Sequence, residues 1–194
     1  TGSGWYQPNG MFDYIEGIYV GYKWYETAFT EGVWDNVDNA FGKGYDGVVQ
    51  YPFGFGLSYT EFVWRLDSFK VENENGEEVK TDKINEKCVI TINVNVENVG
   101  KTSGKDVVQV YLTAPYTKGG IEKSFVNLVG FEKTALLAPG ESQTISVSVL
   151  ADDFASYDCY DKNGNNFKGY ELEKGEYVLK LMQNCHDEKE FEDN

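Results

Sequence analysis

The chain has 194 residues, of which 41% are hydrophobic and 15% aromatic, so it has enough apolar side chains to bury a core and is not a disordered segment. Its 32 acidic residues outnumber its 17 basic residues, and the net charge is −15. This balance argues against a nucleic-acid partner, because neutralising phosphates requires a basic face. No apolar run approaches the roughly 20 residues that span a bilayer, so we expect no membrane partner either.

The first fifty residues show no sustained periodicity and hold three of the four tryptophans, Trp5, Trp24 and Trp34. Within them, residues 14–25 have the β-branched and aromatic composition typical of a short strand. A loop-rich stretch follows. We therefore predict an irregular N-terminal extension with no core of its own.

Residues 51–62, YPFGFGLSYTEF, form the densest aromatic segment of the chain. Five of the twelve side chains are rings, and each ring can bury roughly 150–250 Å². A proline restricts the backbone, and two glycines permit conformations that other residues resist. We predict that this segment packs one structural unit against another. Its aromatic residues are Tyr51, Phe53, Phe55, Tyr59 and Phe62.

From Tyr59 onward, apolar and polar residues alternate in short runs separated by turn residues. Ile90, Ile92, Val94 and Val96, for example, alternate with polar side chains, which is the period-two pattern of a half-buried strand. Similar runs predict strands at 60–72, 88–97, 106–113, 125–134, 145–149 and 175–183.

Short strands at this spacing predict an all-β fold. We expect an antiparallel β-sandwich of the immunoglobulin or fibronectin type III kind, with a closed barrel as the alternative. The predicted organisation is an extension at 1–58, a sandwich at 59–186 and a charged tail at 187–194 that frays.

The cysteines and the single histidine give little indication of a catalytic or metal-binding site. Cys88, Cys159 and Cys185 are odd in number and lack metal-ligand spacing, and the chain has no N-glycosylation sequon. These features favour free thiols in a reducing, cytoplasmic compartment. His186 is the only histidine, and we interpret it as an ordinary surface or turn residue without a catalytic partner.

The segment 158–166, DCYDKNGNN, has a faint similarity to a calcium-binding loop. Alignment on Gly164 places Cys159 and Tyr170 at the two anchor positions, where Asp and Glu are needed. An Asn-Gly turn is the simpler interpretation. We predict no metal site and no cofactor.

Two further groups raise the question of carbohydrate chemistry. Glycosidases use a pair of carboxylates, and Glu16 is conspicuous among aromatic residues, although a structural hydrogen bond also suits it. The many tryptophans and tyrosines suit either a sugar-stacking platform or domain packing. Trp24 and Trp34 lie outside the regular strands, which favours a position near a partner surface.

Four stretches give the chain a resemblance to the family 3 glycoside hydrolases, the β-glucosidase-type enzymes. Residues 14–25 (YIEGIYVGYKWY) resemble the end of that family's α/β domain, and residues 51–62 resemble its junction between domains. Residues 93–115 and 128–142 are similar to its fibronectin type III-like domain. The segment 152–187 is similar to a subgroup in which the barrel domain follows this region.

The resemblance implies an accessory role. Residues 1–58 are then the tail of an α/β domain and a linker, and the partners are that domain and a catalytic barrel, with a polysaccharide or oligosaccharide as a further candidate. The whole enzyme is expected to hydrolyse terminal β-glycosidic bonds by a retaining mechanism with two carboxylates. Both carboxylates are expected outside these 194 residues, so no catalytic residue is assigned.

The candidate residues for the edge of a cleft or for domain packing are Trp24, Trp34, Tyr51, Phe53, Phe55 and Tyr59. Two alternatives remain open at this point: an independent carbohydrate-binding module, and a protein-interaction or adhesion domain.

Overall fold

Two three-stranded antiparallel sheets pack face to face and enclose the main hydrophobic core. The computed structural model describes residues 5–6 and 12–189, with side chains from residue 14. Its regular elements are β1 (Trp5–Tyr6), β2 (Phe12–Asp13), α1 (Tyr22–Thr30), β3 (Phe62–Glu72), β4 (Val89–Asn98), β5 (Val107–Thr113), β6 (Asn127–Lys133), β7 (Ser142–Leu150), β8 (Ser156–Asp158), β9 (Gly169–Glu171) and β10 (Val178–Met182).

One sheet has the strand order β3-β4-β7, and the other has the order β10-β5-β6. All pairings in both sheets are antiparallel. The short strands β8 and β9 form a separate ribbon. The predicted all-β sandwich is therefore confirmed, and the barrel alternative is wrong because the two sheets remain separate.

Strand β4 shows how the alternating sequence produces one buried and one polar face. Ile90, Ile92, Val94 and Val96 are each no more than 3% exposed and point into the core. On the other face, Asn93 donates a hydrogen bond to Ser68 on β3 and accepts one from Ser146 on β7. Polar cross-strand pairs therefore join all three strands of this sheet on its outer side.

The two sheets approach closely where β6 crosses β7. A Cβ atom on Gly130 would lie 2.8 Å from side-chain atoms of both Val147 and Val149, so only glycine fits without a shift. The pairing of β6 with β5 is irregular next to this glycine. The bulge bends β6 over the opposing sheet.

The N-terminal extension differs from the sequence expectation. Residues 22–30 form a helix, whereas a strand was predicted over 14–25. The helix forms because Tyr22 and Glu26, one turn apart on the same face, both pack against the sandwich. Gly21 precedes it with φ +59°, a conformation that favours glycine. Tertiary packing therefore overrides the β-like composition.

The predicted fraying of the tail is wrong for its first residues. Glu188 pairs with Met182 of β10 and accepts a hydrogen bond of 2.6 Å from the Lys180 ammonium. The Lys189 ammonium donates to the backbone carbonyl of Phe62 at 3.0 Å. The remaining tail, residues 190–194, lies outside the described residues. Within the described part of the chain, no helix is long and apolar enough to cross a membrane.

Candidate functional site

The aromatic segment 51–58, here called the strap, lies across the outer face of the β10-β5-β6 sheet. Gln109 on β5 donates hydrogen bonds to the carbonyls of Gly54 at 3.2 Å and Gln183 at 2.6 Å. The Cys185 amide donates to the carbonyl of Phe53 at 2.9 Å. Gly54 has φ +85°, and an added Cβ there would collide with Gln109 Oε1. The strap therefore fits this sheet through its backbone.

Helix α1 packs against the same face of this sheet, beside the strap. The Tyr22 hydroxyl accepts a hydrogen bond from the Leu128 amide at 3.0 Å, and its ring stacks on Phe53 at 4.6 Å. The Thr27 hydroxyl accepts one from the Phe125 amide at 2.9 Å. This cover explains why Tyr111, on the outward side of β5, is fully buried.

A buried polar cluster joins the helix to the C-terminal end of the sandwich. The Glu26 carboxylate is 2% exposed and accepts hydrogen bonds from the hydroxyl of Tyr45 and, at 3.3 Å, from the thiol of Cys185. His186 Nδ1 lies 2.9 Å from its second oxygen, and the imidazole stacks on the Tyr45 ring at 3.8 Å. Two other segments of the chain thus converge on the carboxylate of helix α1.

His186 lies in the turn that follows β10, as interpreted from the sequence, but its side chain is not an ordinary surface group. Its imidazole lies between Phe29 and Tyr45 and contacts Glu26, and its side chain is 23% exposed. Sequence reasoning missed this cluster because Glu26 and His186 are 160 positions apart. No local pattern connects them.

The electrostatics of the cluster oppose nucleophilic chemistry. Burial, together with the Glu26 carboxylate, raises the pKa of the Cys185 thiol to about 12. Burial and the same carboxylate also raise the pKa of the Tyr45 hydroxyl. Since the thiolate is the reactive form of cysteine, Cys185 is held in its unreactive state. The Tyr45 hydroxyl and the Cys185 thiol therefore remain protonated and uncharged near neutral pH.

Trp24 and Trp34 lie in an aromatic group on the exposed side of the helix. Their rings meet edge to face at 6.2 Å, and the Trp34 indole N–H donates to the Tyr25 carbonyl at 3.2 Å. Beside them, Trp24 and Tyr19 line a cleft of about 400 Å³ between α1 and the segment that joins β5 to β6. Further lining residues are Thr113, Tyr116, Lys123 and Phe125.

The other four residues of the predicted site, three on the strap and Tyr59 immediately after it, are partly to fully open to solvent. The exposed fractions are 63% for Tyr51, 48% for Phe53, 43% for Phe55 and 99% for Tyr59. Tyr51 and Phe55 stack on each other at 5.1 Å, whereas Phe53 also contacts Tyr22. The structure thus brings Trp24 together with Trp34 and Tyr51 with Phe55, while Tyr59 projects into solvent.

Among the described residues, the carboxylates form no evident catalytic pair. Glu16 is half-buried in a shallow hollow lined by Trp24 and Tyr25. Glu26, the most buried glutamate among the described residues, lies on the inner side of helix α1. Its carboxylate already contacts the side chains of Tyr45, Cys185 and His186. In the 158–166 loop, Asp158 accepts backbone hydrogen bonds from Tyr160 and Lys162, which agrees with the predicted turn.

Comparison with known proteins identifies the region to which the chain corresponds. Residues 106–184 match the family model described as a fibronectin type III-like domain. The chain is 37% identical over 187 residues to β-glucosidase A of Butyrivibrio fibrisolvens, covering 95% of this chain and 20% of that protein. It is 38% identical over 177 residues to a β-glucosidase of Ruminococcus albus, covering 91% of this chain and 15% of that protein.

A solved structure gives the same result. The β-glucosidase of Paenibacillus barengoltzii superposes with a TM-score of 0.67 at 34% identity, covering 89% of this chain and 16% of the enzyme. In these relatives the matched region is part of a larger enzyme with other domains. The chain therefore contains a fibronectin type III-like domain and corresponds, over nearly all of its length, to an accessory region that makes up 15–20% of family 3 β-glucosidases.

Proposed function

We propose that this chain is a non-catalytic accessory region of a β-glucosidase-like glycoside hydrolase, and that it supports the catalytic domains by docking to them. The observation that carries the proposal is the contrast within the strap. Its backbone is fixed to the sandwich by hydrogen bonds from Gln109 and Cys185, while its rings face outward. The fixed backbone holds the rings of Tyr51, Phe53 and Phe55 in place, while 43–63% of each side chain remains exposed for contact with another domain.

The docking surface extends from the strap to the exposed side of helix α1 and to the segments on either side of that helix in the chain. Large hydrophobic side chains on both parts are more than one third exposed, which is typical of a surface that another domain covers. They include Tyr14, Ile15, Val20, Trp24, Phe29, Phe41, Tyr51, Phe55, Leu57 and Tyr59. The partners are the α/β domain and the barrel of the enzyme.

The enzyme's activity would reside in those partner domains. Hydrolysis of a terminal β-glycosidic bond with retention requires two carboxyl groups about 5–5.5 Å apart across the sugar. Glu26 cannot be one of these two carboxyl groups, because its carboxylate is buried against the sandwich and already contacts Tyr45, Cys185 and His186. The chain alone is therefore expected to hydrolyse no aryl β-glucoside. Turnover that copurifies with the chain and is lost on mutation of Glu16 would contradict the proposal.

A domain exchange tests the supporting role directly. The matching region of the Butyrivibrio fibrisolvens β-glucosidase A would be replaced by this chain, and a second variant would lack the region altogether. We expect activity and thermal stability to survive in the chimera and to be lost in the deletion variant. A deletion variant with unchanged activity and melting temperature would remove the basis for the proposal.

One observation favours a second candidate, a carbohydrate-binding surface. The cleft of about 400 Å³ is lined by Trp24 and Tyr19 and by the polar residues Thr113 and Lys123, a combination of rings and polar groups that suits small ligands. Affinity electrophoresis in gels with cellulose, xylan or β-glucan tests it, with Trp24→Ala as the matched variant. Unretarded migration in all three gels would exclude this candidate.

A further inference from the structure

Two asparagine–glycine pairs lie in turns whose main chain is similar. Asn75 and Gly76 lie in the turn after β3, and Asn163 and Gly164 lie in the loop between β8 and β9. The φ angle is +77° at the first glycine and +71° at the second. Each glycine amide donates to the carbonyl three residues earlier, at 2.9 Å and 3.2 Å respectively. Each asparagine therefore occupies the third position of a hydrogen-bonded turn, which is a common place for this pair.

The side chains of the two asparagines have different contacts. The Asn163 side-chain nitrogen Nδ2 donates to the Glu171 carboxylate of β9 at 2.9 Å, and its Oδ1 accepts from the Asn165 amide at 3.2 Å. Asn75 is exposed, and within the described part of the chain its carboxamide has no hydrogen-bond partner. One carboxamide is therefore held at both its nitrogen and its oxygen, and the other can rotate.

This difference bears on a reaction that needs no enzyme, the deamidation of asparagine. The backbone nitrogen of the following residue loses its proton and attacks Cγ of the asparagine, while Nδ2 takes up a proton and leaves as ammonia. Water then opens the five-membered imide at one of its two carbonyl groups, which gives either aspartate or isoaspartate. The sum is asparagine plus water giving an acid plus ammonia, so no oxidant is required. A following glycine favours the attack because it has no Cβ beside the attacking nitrogen.

The attack requires the carboxamide to turn towards the amide of the next residue. Such reactions proceed from conformers in which the reacting atoms are about 3–3.5 Å apart. Asn163 reaches this conformer only by leaving its contacts with Glu171 and Asn165, whereas Asn75 has no such contacts to lose. Both glycine amides are hydrogen-bonded in their turns, so that cost is common to the two sites.

From these contacts we infer that Asn75 is a modification site that deamidates spontaneously, whereas the fold protects the same pair at Asn163. The reaction adds a carboxylate to a turn that already has three glutamates within residues 74–78. Strand β3 has 11 residues, so it places this turn roughly 35 Å from the strap end of the strand. The site therefore lies at the end of β3 away from the strap, and it does not depend on the proposed docking role.

Peptide mapping by mass spectrometry, after incubation of the chain in mildly alkaline buffer, measures the reaction at each asparagine. We expect Asn75 to react at least roughly fivefold faster than Asn163 in the folded chain, because two hydrogen bonds hold the second side chain. In the chain unfolded by urea, the two rates should become similar, since these hydrogen bonds are then absent. The remaining asparagine–glycine pair, at residues 9–10, lies outside the described residues and is mapped separately.

Glu171→Ala tests the protection itself. The variant removes the acceptor of the Asn163 side-chain nitrogen and should raise the rate at Asn163 several-fold, at least threefold. The rate at Asn75 should stay unchanged and provides an internal reference. Glu176→Ala, an exposed position after β9, is the control and should change neither rate.

Three results would overturn the inference. They are equal rates at Asn75 and Asn163 in the folded chain, a ratio of the two rates that is the same in urea, and an unchanged rate at Asn163 in Glu171→Ala. The first two results come from the wild-type chain alone, so they decide the matter even if the variant fails to fold.

Discussion

The sandwich and the extension use their apolar side chains in opposite ways. In the sandwich, large residues such as Trp64 and Ile90 are at most 1% exposed, and their partners lie within the chain. In the extension, Phe41 and Leu57 are more than 85% exposed, and the most buried residues of helix α1 include an acidic one, Glu26. The sandwich therefore completes its own core, whereas the extension is held by hydrogen bonds and offers its rings to a partner.

The largest effect is expected in the sandwich core. Trp64→Ala removes a fully buried ring and the hydrogen bond from its indole N–H to Asp106 at 2.7 Å. We expect a loss of about 3–5 kcal/mol in the free energy of unfolding, measured by urea denaturation, and faster labelling of all buried thiols. Lys70→Ala, whose cross-strand partner Thr91 lies on the polar outer face of the same sheet, is the control and should cost less than about 1 kcal/mol.

A smaller and local effect is expected for Glu26→Ala. The substitution leaves the Tyr45 hydroxyl and the His186 ring without their acceptor, at a cost of about 2 kcal/mol. Labelling of Cys185 should accelerate, while labelling of Cys88 changes far less. Glu31→Ala, at the exposed end of the helix, is the control. Equal acceleration at Cys185 and Cys88 would show that the two regions open together and that the comparison is wrong.

Tyr22→Phe tests a single hydrogen bond between the regions. The variant keeps the ring that stacks on Phe53 but leaves the Leu128 amide without the hydroxyl acceptor. We expect a cost of about 1 kcal/mol, seen as faster amide hydrogen exchange at Leu128. Tyr25→Phe, on the exposed side of the same helix, serves as control. Unchanged exchange at Leu128 would mean that this contact does not fasten the helix.

The smallest effect on the isolated chain is expected for Tyr59→Ser. A ring that is 99% exposed contributes little to folding, so the free energy of unfolding should change by less than about 0.5 kcal/mol. Urea denaturation measures this value. A loss above about 1 kcal/mol would show that the ring already packs on its own chain.

The sequence predicted the sandwich well because its signals are local. The alternation of Ile90 to Val96 with polar residues places one strand face in the core without knowledge of the neighbours. Helix α1 was missed because its stability comes from contacts such as Tyr22 with Leu128, 106 positions away. The Glu26 cluster joins residues 19 to 160 positions apart, and no spacing rule can reveal such a group.

The strap was predicted in part from local sequence and depends in part on contacts with distant residues. Its composition predicted a packing segment, and its backbone does lie on the sandwich at Gly54 and Phe53. The direction of its rings, however, depends on how Gln109 and the turn after β10 hold that backbone. Whether those rings contact a partner domain is therefore a proposal that rests on exposure and on the larger enzymes in which relatives contain this region.

The most direct test of the docking proposal compares one set of substitutions in two contexts. Tyr51, Phe55 and Tyr59 would be changed together to serine, both in the isolated chain and in the chimera with the Butyrivibrio fibrisolvens enzyme. Leu136 and Tyr160, which are 60% and 73% exposed, would be changed to serine as the control. The measurement is the melting temperature of each protein. We expect the triple serine variant to have a markedly lower melting temperature in the chimera and an almost unchanged one in the isolated chain. The control should change the melting temperature little in either context. Equal changes in both contexts, or none in the chimera, would contradict the account.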